Sequence, residues 1–85
     1  MNDQQVVTEL IEEKIATLQH KVANTRATIE LYKNWQDGSP QQQRSRKRSF
    51  ENNSKILNDL EKKLLVFKKI LRGYQQWKIR NNLNH

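Results

Sequence analysis

The sequence holds no cysteine, a single proline and two glycines in 85 residues. Without cysteine there is no disulfide framework, no thiolate metal site and no cysteine nucleophile. Histidine is nearly as scarce: His20 and His85 stand apart, and no carboxylate is spaced to join either on a metal. There is no His-Glu-x-x-His motif and no glycine-rich phosphate loop. Glu9 and Glu13 lie one helical turn apart, where contact with a helix N-terminal dipole explains them better than acid–base chemistry. The longest apolar run, Leu64-Leu65-Val66-Phe67, is far short of the ~20 residues a membrane span needs. The opening Met-Asn-Asp-Gln-Gln lacks the basic-then-apolar pattern of a secretory signal. The expectation is a soluble protein that is not an enzyme and uses no metal or cofactor. Its expected location is the cytoplasm, or the nucleus if the source is eukaryotic.

Apolar residues make up 34% of the chain and the mean hydropathy is −1.04, so the core must be thin and elongated. One domain is the most that this length supports. A chain this small buries only roughly 60% of its unfolded surface. The apolar residues are concentrated by their spacing. Ile11, Ile15, Leu18, Val22, Thr25, Ile29 and Tyr32 recur at alternating intervals of 4 and 3 residues. Phe50, Asn53, Leu57, Leu60, Leu64, Phe67, Leu71 and Tyr74 do the same in the second half. This period of 3.5 residues is a coiled-coil seam, with Ile15 and Leu57 at a positions of the heptad. The fold expected is all-α: an antiparallel two-helix coiled-coil hairpin, a single domain over residues 1–85. Helix 1 is expected over about residues 3–36, a basic tip over 37–48 and helix 2 over 49–82.

The chain punctuates itself in keeping with that plan. Asn2 or Asp3 can cap the first helix, and Gly38 suits a left-handed position just past its end. Helix 2 has two possible starts. Ser49 followed by Glu51 gives a loop over 37–48, and facing residue numbers then sum to about 85. Val22 then meets Leu64 and Ile11 meets Tyr74. Alternatively, Ser39-Pro40 with Gln42 forms a capping box with proline at the first helical position, and the sum falls to about 77. Buried apolar side chains are worth roughly 1.5–3 kcal/mol each against about 1 for a cap, which favours the loop register. Arg26–Glu30, Glu51–Lys55 and Asp59–Lys63 are spaced for ion pairs along each helix.

Charge is distributed unevenly. Residues 1–36 net −1, residues 37–48 net +3 and residues 49–85 net +5, for +7 in all. Arg44, Arg46, Lys47 and Arg48 place four cations within five residues, and Lys55, Lys62, Lys69 and Arg72 continue the charge along helix 2. Such a surface suits phosphates contacted without reading base sequence. These eight residues are the candidate nucleic-acid contacts. A different reading rests on apolar residues away from the seam. Leu10, Leu31, Leu65, Val66 and Ile79 are off it, and Tyr74 and Trp77 lie near the open end of the hairpin. They point to a protein interface: a homo-oligomer such as a four-helix bundle, or an adaptor or inhibitor docked on another protein. Trp35-Gln36-Asp37-Gly38 is similar to the Trp-x-Gly turn of small secreted helical hairpins, and Ser39-Pro40 to the turn of type III secretion needle subunits. These likenesses span a few residues and establish no family.

Overall fold

A computed structural model describes residues 2–35 and 37–83, with the backbone alone for Asn82 and Leu83. Two helices form it: α1 spans Asp3–Asn34 and α2 spans Pro40–Leu83. They pack as a hairpin whose longest dimension is 69 Å, close to the ~66 Å expected of the 44 residues of α2. The all-α hairpin expected from the heptads is therefore present.

Both helices begin with the same device. The Asn2 side chain accepts from the Gln5 backbone N–H at 2.8 Å, and the Gln5 side chain accepts from the Asn2 N–H at 3.4 Å. At α2 the Ser39 hydroxyl accepts from the Gln42 N–H at 3.2 Å, while the Gln42 side chain accepts from the Ser39 N–H at 3.0 Å. Each box satisfies helix-start donors that otherwise lack a partner.

The second box corrects the expected tip. Residues 41–48 are helix, and the link shrinks to residues 35–39. At the two ends the pairing moves with it, while midway Val22 and Leu64 line one groove as the loop register expects. Tyr74 donates to the Gln4 carbonyl at 3.4 Å and Arg46 to the Trp35 carbonyl at 2.9 Å, pairs whose numbers sum to 78 and 81 rather than 85. Tyr74 thus lies level with Gln4, not Ile11. Arg26 and Glu61, at 2.7 Å, sum to 87 because each side chain leans toward its own N-terminus, and in antiparallel helices those leans converge. Three contributions outweigh the apolar burial that favoured the loop. Pro40 and the capping box start α2, the 41–48 segment is rich in good helix formers, and Arg46 closes the end of α1. The apolar loss is also smaller than expected, because Tyr32 and Phe50 still line one groove.

Gly38 is not the residue just past α1. The helix ends at Trp35 in extended conformation, and Gly38 stands immediately before the Ser39 cap with φ +127°. A side chain there would also meet Arg46 and Gln42. Arg26 pairs across the helices with Glu61 instead of Glu30, and it is the single ion pair among the described residues. Gly73 does not interrupt α2.

The seam residues are those the spacing indicates. Ile15, Leu18 and Val22 are buried, and Phe50, Leu57, Leu60, Leu64, Phe67 and Leu71 are half-buried. Polar members of the seam are satisfied on their own helix: Thr25 donates to the Lys21 carbonyl at 2.7 Å and Asn53 to the Ser49 carbonyl at 2.8 Å. Among the described residues no buried side chain comes from α2, because a helix with one neighbour cannot cover so wide an apolar stripe.

Candidate nucleic-acid interface

The start of α2 at Pro40 joins two features that the sequence presents separately. With residues 41–48 helical, the tip cations and the helix 2 cations lie on one continuous helix, which carries twelve cations and three anions. Arg48, Lys55, Lys62 and Lys69 are seven residues apart, each at the outward f position of its heptad. Two turns of helix separate successive members, so they form a line with steps of ~10.5 Å. All four are exposed. Arg44 and Arg72, at b, and Lys47, at e, flank this line and are exposed as well. Seven of the eight candidate phosphate contacts therefore form one rail along the back and one side of α2.

Arg46 is the exception. It is half-buried, donates to the Trp35 carbonyl at 2.9 Å, and holds its guanidinium 4.4 Å from the centre of the Trp35 ring. It therefore caps α1 and stacks on an aromatic face, and is committed to the turn rather than to a ligand. The heptad carried back from Phe50 puts Arg46 at d, on the seam, whereas Arg44 falls at b and Arg48 at f; the expectation of a loop over 37–48 hides that signal.

The apolar candidates divide between two flanks. The Arg26–Glu61 pair joins two e positions, so the e and b residues of both helices share one side of the hairpin and the g and c residues share the other. Leu65 and Ile79, both exposed, fall on the e/b side. Leu65 there borders a groove with Val22, Ala23, Arg26, Glu61 and Lys68. Leu10, Leu31, Val66 and Trp77 fall on the g/c side, joined by the exposed Val7, Ile56 and Ile70. Val7, Ile56 and Ile70 are missing from the sequence-derived set, although their g positions mark them. Tyr74 is a half-buried seam residue, stacked on Trp77 with ring centres 5.8 Å apart. Near the turn, Ala27, Thr28, Leu31, Tyr32 and Trp35 line an open hollow of about 790 Å³. Trp77 and Ile79 lie where α2 runs on past the level of Gln4.

Among the described residues no group of three or more histidines and carboxylates is placed to hold a metal. No helix there is long and apolar enough to cross a membrane. His20 is exposed on α1, and His85 lies outside the described residues. No protein-family model matches the chain, and no curated protein or solved structure is detectably similar to it.

Proposed function

We propose that this is a non-enzymatic basic helical-hairpin protein that binds the phosphate backbone of nucleic acid, as an accessory factor without base-sequence specificity. One observation carries the reading: the unbroken line Arg48, Lys55, Lys62 and Lys69 on the exposed back of α2, flanked by Arg44, Lys47 and Arg72. Among the described residues none of these seven is held in an ion pair, so their charge is directed to solvent or to a ligand. A rod with one cationic side lies along a polyanion and displaces its condensed counterions. The contacts would be made in the cytoplasm or nucleus.

The test is replacement of Arg48, Lys55, Lys62 and Lys69 by Glu. Loss of binding to both RNA and DNA, with helicity retained, is the expected result; unchanged binding overturns the reading. A second reading, docking on a protein partner, is favoured by the exposed apolar side chains Leu10, Leu31, Val66 and Trp77. Recovery of one stoichiometric protein that survives nuclease treatment supports it; recovery that nuclease abolishes supports the first. We also propose that the chain works as a homo-oligomer, since among the described residues only Ile15, Leu18 and Val22 are buried in the single hairpin.

A further inference from the structure

We propose that a second copy of this chain packs on the g/c flank of the hairpin, completing a two-fold four-helix assembly that leaves the cationic rails facing outward. The inference rests on the self-association proposed above and identifies the face that mediates it. Exposed apolar side chains are not scattered. Of the eleven large ones among the described residues, seven lie at g or c positions and two at b. The seven come from both helices, Val7, Leu10 and Leu31 from α1 and Ile56, Val66, Ile70 and Trp77 from α2. One occupant can therefore cover both helices at once.

Charge argues that the occupant is another copy. Two molecules of +7 repel, so a self-contact needs a face from which charge has been withdrawn. The g/c flank is such a face, holding four of the sixteen cations: Lys14, Lys21, Lys63 and Arg80. Asp3 and Asp59 on the same flank offset two of them. Where the tip is most basic, its g and c positions are the uncharged Gln42, Ser45 and Ser49, while Arg44, Lys47 and Arg48 point elsewhere. The available area is also sufficient. Along a hairpin 69 Å in length, a strip about 12 Å wide supplies the ~800 Å² per partner of a standard stable interface. Isologous two-fold contact is the commonest closed arrangement and uses the same patch twice.

Sedimentation at micromolar concentration tests this on the intact chain. The wild type should sediment at twice its 10.2 kDa mass, Leu10→Lys with Ile70→Lys should lower the dimer fraction at least tenfold, and Leu65→Lys with Ile79→Lys should not. A folded wild-type monomer overturns both this inference and the oligomer reading. A dimer dissociated by the Leu65 and Ile79 pair, and not by the other pair, overturns the assigned face alone. Should the Leu10 and Ile70 variant lose its helicity, single cysteines decide, since the chain has none of its own. Bis-maleimides should then join chains for at least one of Leu31→Cys, Ile56→Cys, Val66→Cys and Ile70→Cys, which are spread along the g/c flank, and leave Leu65→Cys chains unjoined; joining at Leu65→Cys alone, or at none, overturns the proposal. Salt-dependent nucleic-acid binding is measured separately and does not depend on these outcomes.

Discussion

Arg46 and Arg48 differ by two positions and by nearly everything that matters to their roles. Arg46 closes the last turn of α1 and covers the Trp35 ring, whereas Arg48 is exposed on the back of α2. A charged hydrogen bond is worth about 1.5–3 kcal/mol, and an exposed cation–π contact about 0.5–1. At this half-exposed site solvent screening keeps the total toward the lower end. Urea denaturation should show Arg46→Ala destabilising the protein by about 1–2 kcal/mol, with Arg48→Ala within about 0.5. Gly73 makes the opposite case. It lies in the interior of α2, and a Cβ there would meet nothing within 4 Å. Gly73→Ala should therefore stabilise the protein by about 0.5–1 kcal/mol and raise Tm by a few degrees.

At the scale of elements, each helix is defined by a seam and two ends, and these are legible in the sequence to different degrees. The seam follows from local spacing, so Ile15, Leu18 and Val22 can be placed in the core from sequence. The Asn2 cap can be read in the same way, because all its partners lie within one turn. The start of α2 cannot. Ser39-Pro40 is a visible signal, but its advantage over the rival register includes Arg46 closing α1, which joins residues 11 positions apart and exists only once the turn has formed. The candidate rail inherits that gap: its cations are legible individually, while their continuity depends on the helical state of residues 41–48. Two measurements address this element. Ser39→Ala should cost about 1 kcal/mol by removing the cap. Amide exchange should show residues 44–48 protected like the rest of α2, whereas unprotected amides there would restore the loop.

The whole molecule is a 69 Å rod with two unlike sides, one carrying most of the exposed apolar side chains with four cations and two acids, and the other bordered by the cationic rail. Such a separation gives each side a different kind of partner, and the electrostatic side makes the more quantitative prediction. Neutralising one cation that binds a phosphate should make the slope of log affinity against log salt shallower by about 0.9 for a duplex and 0.7 for a single strand. The decisive measurement is fluorescence anisotropy with a labelled oligonucleotide at about 50 to 200 mM salt, comparing wild type with a variant carrying Gln at residues 48, 55, 62 and 69. Affinity should fall steeply with salt for the wild type, and the slope should be shallower by about 3–4 for the variant. Equal affinities and equal slopes for the two proteins would contradict phosphate binding by this line.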